Sequence, residues 1–204
     1  MNLVGNSCVS AFIMRDCFKK EFNNPFCWAK IDFDSMYNLI SKWDSINFEN
    51  VEFIKCDNYY TAIIDKLVKV QYIHYLEDNS RKEITFEKAS VIGPNILDYV
   101  KTKYFSRLAK MKEPPTFLLA AGYWQEYYVN DNQIEKLLEL NSKYTIIISM
   151  PNSKMNVMKS TSNIKIHNHS FRMGEEGVHR KLAYYIANFF WGLKGEEVSQ
   201  TLDQ

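Results

Sequence analysis

The hydrophobic and polar positions of the first fifty residues switch between the period of a strand and that of a helix. A short apolar strand ends in the turn Gly5-Asn6, and residues 8–21 then carry apolar side chains at helical spacing with basic side chains opposite. Residues 26–31 have the composition of a second strand, and Asp32 or Asp34 is placed to cap a helix after it. The pattern therefore predicts strand, helix, strand, helix.

The middle and the second half of the chain follow different patterns. Four runs rich in β-branched and aromatic residues predict a hairpin or meander, at 51–56, 60–64, 68–75 and 83–86. Alternation then returns, with helices predicted over 96–111, 133–140 and 177–191 and strands over 116–121, 144–150 and 163–167. The polar stretch 151–162 is either a lid or a simple connector.

These elements predict an α/β fold of three layers, with a mostly parallel central sheet and the β-rich middle as an insertion. The strands at 116–121 and 144–150 are predominantly apolar, as expected at the centre of a parallel sheet. A length of 204 residues and a hydrophobic content of 46% predict one domain over residues 1–195. Residues 196–204 are predicted to form a polar C-terminal tail.

Composition, charge and motifs argue against several classes of function. Twenty-five basic and 24 acidic side chains give a net charge of +1, so no general field attracts nucleic acid or an anionic membrane. The chain shows no signal-peptide pattern and no apolar run of membrane-spanning length, so we expect a cytoplasmic protein without direct membrane insertion. The four cysteines lack CxxC spacing, and no motif of an NTPase, Rossmann oxidoreductase, zincin or α/β-hydrolase occurs. No metal or cofactor is predicted.

Cys8 is the candidate nucleophile because it stands where the first strand turns into the first helix. Unpaired backbone N–H groups and the positive end of the helix dipole favour a thiolate at such a position. The alternative is that Cys8 is a small buried residue between helix and sheet. The sequence leaves both interpretations open.

A thiol nucleophile needs a base, and His74 and His167 are the candidate bases. His169 is a candidate substrate contact beside His167. His74 lies in the predicted strand 68–75. A histidine in a strand is often a half-buried side chain with a structural role only. His167 and His169 lie at the end of a predicted parallel strand, where open α/β sheets assemble ligand sites, although exposed loop residues would give the same pattern. His179 is expected on the surface of the last helix.

Two further residues are candidates for substrate contact. Asp65 has the chemistry to orient a base or bind a sugar hydroxyl, and a role in a turn explains it equally well. Trp124 lies in an aromatic cluster after the predicted central strand 116–121, which suits stacking on a sugar ring or base and equally suits a core or an interface.

Four short motifs resemble those of two bacterial families. Gly5-Asn6-Ser7-Cys8, Asn24-Pro25-Phe26-Cys27-Trp28 and the stretch from Asp65 to Tyr72-Ile73-His74-Tyr75 resemble an exopolysaccharide-biosynthesis family of unknown function. The same opening, with a Pro-Phe-x-Trp motif and Lys103-Tyr104-Phe105-Ser106-Arg107, is similar to a family of papain-like cysteine peptidases. The resemblance covers residues 3–110. The chain departs from it at Cys27, where the peptidase-like family has Asp, and at Val9-Ser10-Ala11, where the polysaccharide family has Trp-Gly-Gly.

The resemblance implies a protein of bacterial capsule or exopolysaccharide biosynthesis, which acts as a cysteine-dependent hydrolase or acyltransferase on a glycan or another small molecule. Cys8 would be its nucleophile and His74 its base, with Asn6, Ser7 and Trp28 near the substrate. The alternative is a non-catalytic accessory protein that binds a glycan, a nucleotide-sugar or a polysaccharide-synthesis enzyme.

A third hypothesis, a glycosyltransferase-like enzyme that uses a nucleotide-sugar, is weaker. It would need the pair Asp32 and Asp34 to bind a metal, and Asp34 is better explained as part of a helix start.

Overall fold

The described residues form two four-stranded sheets, one parallel and one antiparallel, with helices between the strands. The computed structural model describes residues 2–19, 24–56, 59–72, 96–120, 129–151, 161, 163–169, 171 and 177–193. The predicted mixture of helices and strands with a parallel sheet is therefore confirmed. None of the helices in these ranges combines the length and the apolar character needed to cross a membrane.

The elements follow one another in the predicted order. They are β1 (Asn2–Gly5), α1 (Val9–Phe12) continued by a π-helical turn (Ile13–Cys17), β2 (Ala29–Lys30), α2 (Phe33–Lys42) followed by a 3₁₀ turn (Trp43–Ser45), β3 (Val51–Lys55), β4 (Tyr60–Ile64), β5 (Val68–Tyr72), α3 (Ile96–Leu108), β6 (Pro115–Ala120), α4 (Asp131–Leu138), β7 (Ile146–Pro151), β8 (Ile164–His169) and α5 (Val178–Trp191).

The parallel sheet has the strand order β1-β6-β7-β8, so β1 and β8 lie at its opposite edges. Its side chains alternate between two apolar clusters. Phe117 and Ile146 belong to a cluster that also includes side chains of α2 and of the antiparallel sheet. Leu3, Leu118 and Ile147 belong to a second cluster with side chains of α1 and α5. Because apolar residues occupy both faces, these strands contain few polar positions, which makes each buried polar side chain in them informative.

The antiparallel sheet has the order β2-β5-β4-β3, in which β3, β4 and β5 are the predicted meander. Val68, Val70 and Tyr72 of β5 are buried and Lys69 between them is exposed, so the strand has one covered face. The backbone N–H of Ile31, just after β2, donates to the carbonyl of Asn6 at 3.1 Å. This bond joins the end of the antiparallel sheet to the end of β1.

Two predicted elements are shorter than expected. The first helix keeps α-helical geometry for four residues and then widens into the π turn. Near the end of this turn, the Asp16 carboxylate forms an ion pair with the Arg180 guanidinium of α5 at 3.0 Å. The strand predicted over 26–31 is limited to two residues, because the side chain of Asn24 accepts from Phe26 N at 3.0 Å and holds residues 25–28 in a turn. Trp28 closes that turn with a positive φ of 62°.

Side-chain caps fix the starts of two helices. The carboxylate of Asp32 accepts from Ser35 N at 2.7 Å, so Asp32 is the N-cap of α2 and Asp34 is an exposed residue of its first turn. Asn130 and Gln133 form a capping box at the start of α4. The predicted strand at 83–86 and the predicted tail at 196–204 lie outside the described residues.

Candidate functional site

All four strands of the parallel sheet end at one edge, which we call the carboxyl edge. It comprises residues 5–8 after β1, Ala120 of β6, residues 149–151 of β7 and residues 167–169 of β8. Ligand sites of open α/β sheets form outside such ends, because loops and helix starts leave space there. The edge has two ends: the β1 turn, which is residues 5–8, and the histidine end, which is Ser149, His167 and His169.

The β1 turn depends on a close approach between strand and helix. A Cβ atom placed on Gly5 would lie 2.4 Å from the Cβ of Ser10 in α1, a separation that real Cβ atoms do not show. Ser10 Oγ donates to the carbonyl of Ser7 at 3.1 Å and fastens the helix to the turn. Glycine is therefore required at position 5, and the turn holds the intervening Cys8 in one place.

Asn6 and Ser7, which are predicted substrate contacts, bond to backbone groups of β6. The carbonyl oxygen of the Asn6 side chain accepts from Ala120 N at 2.8 Å, and Asn6 N donates to the carbonyl of Leu118 at 3.1 Å. Ser7 Oγ donates to the carbonyl of Ala120. These bonds extend the pairing of β1 with β6 beyond the last residue of the strand, so they fix the turn.

Cys8 occupies the N-cap of α1 at this turn and is 8% exposed. Its carbonyl accepts from Phe12 N at 3.1 Å, which is the first bond of the helix. Burial raises the pKa of two other thiols, that of Cys17 to about 11 and that of Cys27 to about 12. Cys17 and Cys27 are therefore protonated and unreactive at neutral pH.

At the histidine end, polar side chains of two neighbouring strands face the same way. Ser149 lies directly opposite His167 in the register of β7 and β8, and Pro151 lies opposite His169. Residues two apart on a strand share a face, so His167 and His169 point to the side of the sheet that Ser149 faces. All three are buried, with exposed fractions of 3% for Ser149, 7% for His167 and 3% for His169.

Aromatic rings connect the two imidazoles and reach the surface. The ring of His167 lies 5.2 Å from that of Tyr185 and 4.0 Å from that of Phe189, both on α5. The ring of His169 lies 5.6 Å from Phe171, which itself lies 5.2 Å from Tyr185. Tyr185 is 39% and Phe189 is 59% exposed, so these rings lead from solvent to the buried histidines.

Four polar atoms of the histidine end have no hydrogen-bond partner in the described part of the protein. They are Ser149 Oγ, His167 Nδ1 and both ring nitrogens of His169. A buried polar group without a partner costs about 1–3 kcal/mol, and native proteins rarely leave several such groups together. A cluster of them at the carboxyl edge therefore marks the candidate site.

Burial also sets the charge of these groups. It lowers the pKa of His167, and it lowers the pKa of His169 to about 4, with a smaller contribution from the neighbouring charge of His167. Both imidazoles are therefore neutral at pH 7, and each presents one N–H donor and one nitrogen acceptor. Within the described ranges, no group of three or more metal-ligating side chains accompanies them.

The structure separates Cys8 from His167. Ser7, Ala120, Ser149 and His167 form one transverse row on four adjacent strands. Three strand spacings of about 4.8 Å put His167 roughly 14 Å from the β1 turn. A general base must lie within hydrogen-bond reach of its thiol, so this arrangement does not form the direct Cys8–His167 pair that the sequence allowed. His74, the other predicted base, lies outside the described residues.

Asp65 and Trp28, which are predicted substrate contacts, also contact other groups of the protein. Asp65 lies in the β4–β5 turn, where its carboxylate accepts from Asn47 N at 3.1 Å and from the Asn50 side chain at 3.0 Å. These bonds lower the pKa of Asp65. Trp28 packs on Phe12 of α1 at 5.0 Å between ring centroids, with the guanidinium of Arg15 over its ring. Trp124 lies outside the described residues.

Ser149 is the member of the site that the sequence did not reveal. It stands in a largely apolar strand, and the pattern around it predicts only sheet core. The available signal was a single hydroxyl among isoleucines, next to a strand that ends in two histidines. Comparisons of the chain with models of known protein families, with curated proteins and with solved structures found no match.

Proposed function

We propose that this protein binds a glycan or a related small polar molecule at the carboxyl edge and serves bacterial surface-polysaccharide biosynthesis in the cytoplasm. The observation that carries the binding is the group of buried, unpartnered polar atoms of Ser149, His167 and His169 at the ends of adjacent parallel strands. The link to polysaccharides comes from the motifs around Cys8 and Trp28. The same motifs suggest polysaccharide-synthesis enzymes as partners.

A second candidate function is a cysteine-dependent hydrolase or acyltransferase in the same pathway. It is favoured by the position of Cys8 at a helix start, on a turn that Gly5, Ser7 and Ser10 fix. The distance between the β1 turn and His167 weighs against it, because it leaves Cys8 without that histidine as a base. The binding function therefore ranks first.

The proposal also extends to the architecture. We propose that the parallel sheet is the central layer of three, and that the antiparallel strands β2 to β5 are an insertion between β1 and β6. Their place in the chain supports this, because they all follow β1 and precede β6. The bond from Ile31 N to the carbonyl of Asn6 then fastens the insertion to the carboxyl edge.

One labelling experiment tests both candidate functions. The folded protein is treated with iodoacetamide over a range of pH, with and without neutral sugars and nucleotide-sugars, and each cysteine is quantified by mass spectrometry. A ligand long enough to reach from the histidine end to the β1 turn, such as a nucleotide-sugar, is expected to slow the labelling of Cys8 and to leave Cys56 unchanged. Cys56 is half-buried, follows β3 and contacts Thr61 Oγ1 at 3.3 Å, so it is the internal control.

The pH dependence separates binding from catalysis. Labelling of Cys8 with an apparent pKa well below the roughly 8.5 of a free thiol would favour the nucleophile. An ordinary pKa with protection by a ligand would favour the binding protein. Lack of protection by every nucleotide-sugar, at concentrations that saturate weak sites, would contradict a ligand that binds along the carboxyl edge as far as the β1 turn. Cys17 and Cys27 are expected to stay unlabelled, which verifies that the protein is folded.

A further inference from the structure

The polar atoms of the histidine end form a hydrogen-bonding set without net charge. Ser149 has one hydroxyl, and His167 and His169 are neutral imidazoles at pH 7, so each side chain both donates and accepts. An anion would find no cationic partner among these three. A divalent cation would find only two imidazoles and one hydroxyl, with no third histidine, cysteine or carboxylate in the described ranges. An alcohol group, which also donates and accepts, matches such a set.

The rings beside these atoms supply the apolar half of a site. Tyr185 and Phe189 are four residues apart on α5 and therefore lie on one face of the helix. Both contact the ring of His167, and both are among the exposed large hydrophobic residues of the described chain. A ligand that covers them loses water from apolar surface while its polar atoms reach the imidazoles.

We propose that Ser149, His167 and His169 form a subsite for one uncharged sugar ring, whose hydroxyl groups bond to them and whose C–H face lies on Tyr185 and Phe189. A pyranose has both surfaces in one small molecule: a rim of hydroxyls and a face of C–H groups. Binding would satisfy the ring nitrogens of His169 and the hydroxyl of Ser149, which have no partner in the described chain. This inference rests on the proposed function and specifies its ligand class and contacts.

The subsite predicts which residue types change affinity and which change stability. Ser149 contributes a hydrogen bond only when the sugar is present, so Ser149→Ala is expected to lose binding without lowering the melting temperature. Phe189 is exposed, so Phe189→Ala removes a contact to the sugar with little effect on folding. Phe105 of α3 is also exposed, at 41%, and Phe105→Ala is the matched control.

Saturation-transfer NMR tests the subsite. The probes are the methyl glycosides of glucose, galactose and N-acetylglucosamine at about 10 mM, a concentration suited to millimolar affinity. Glucuronate and UDP-glucose are the charged comparators. We expect transfer from the protein to at least one neutral glycoside, about fivefold weaker in Ser149→Ala and in Phe189→Ala, and unchanged in Phe105→Ala.

The outcomes distinguish this inference from the proposed function. Binding of a neutral glycoside that neither Ser149→Ala nor Phe189→Ala weakens would overturn the subsite and leave the function in place. Binding of the charged comparators alone would do the same. No binding by any probe would overturn both. A Ser149→Ala variant that melts below the wild type would show a structural hydroxyl and would also overturn the subsite.

Discussion

The buried polar side chains at the two ends of the carboxyl edge differ in whether they have hydrogen-bond partners. At the β1 turn, Asn6, Ser7 and Ser10 bond to backbone groups of β6 and of the turn itself. At the histidine end, Ser149 and His169 are equally buried, yet their side-chain polar atoms have no partner among the described residues. The two ends belong to one sheet, so strand geometry alone does not explain the difference.

The comparison indicates that polar side chains have different roles at the two ends of the edge. Polar side chains with backbone partners fix the position of an element, as Asn6 does by accepting from Ala120 N. Polar side chains without partners lower the stability of the free protein, and selection keeps such groups where a ligand uses them. Substitutions at the two ends should therefore differ in the sign of their effect, not only in its size.

The largest effect is expected at Gly5. Gly5→Ala places a Cβ 2.4 Å from the Cβ of Ser10, so α1 must move away from the sheet. We expect a loss of about 3 kcal/mol in the free energy of unfolding, measured by urea denaturation. Gly192→Ala is the control: nothing lies within 4 Å of its Cβ, and its φ of 64° alone should cost about 1 kcal/mol. Equal losses in both variants would contradict the close packing of the β1 turn.

A smaller effect concerns pH at the histidine end. The pKa of His169 is about 4 in the folded protein and about 6.5 when unfolded, so the unfolded chain binds more protons between these values. Stability contributed by neutral His169 is therefore complete above pH 6.5 and is lost as pH falls towards 4. The loss is on the order of 2–3 kcal/mol.

Urea denaturation at several pH values measures this dependence. His169→Gln does not titrate, so its unfolding free energy should fall less between pH 6.5 and 4 than that of the wild type. Taking the difference between the two proteins cancels the contribution of the carboxylates. An identical pH dependence in both would mean that His169 is not buried as a neutral imidazole.

The smallest expected effects come from replacing a serine by alanine at each end of the edge. Because the substitution is the same, the two changes in stability can be compared directly. Ser10→Ala removes the donor to the carbonyl of Ser7 in a fully buried place, and should destabilise the protein by about 1 kcal/mol. Ser149→Ala removes an unpartnered hydroxyl, and should leave stability unchanged or raise it by up to about 1 kcal/mol. Thermal unfolding of the two variants compares them. Destabilisation by both would show that Ser149 has a structural partner and would remove the contrast.

Local signals predicted much of the fold. The strand at 60–64 has the predicted bounds, and Asp32 caps α2 as one of the two expected candidates. The predicted meander also forms, and the two strands predicted for the centre of the parallel sheet are its inner strands β6 and β7. Each of these elements depends on a period or on a cap within a few residues, which the sequence displays directly.

The errors occurred where distant residues decide a local conformation. The strand predicted at 26–31 gives way to a turn because Asn24, whose amide donates to the Asn2 side chain and the carbonyl of Leu3, also caps residues 25–28. The first helix widens into a π turn whose last residues meet Arg180, more than 160 residues later. No window of neighbouring residues contains either contact.

The sequence by itself determined the alternation of strands and helices, the meander and the position of two histidines at the end of a strand, because these follow from short-range period and turn chemistry. Tertiary structure alone decided that His167 lies three strands from the β1 turn, that Ser149 stands opposite it, and that Tyr185 and Phe189 cover it. Strand order and register join residues far apart in the chain, and the hydrophobic effect that selects them is non-directional. Apolar patterning therefore shows which residues are buried, whereas only the packed sheet shows which polar groups remain without a partner.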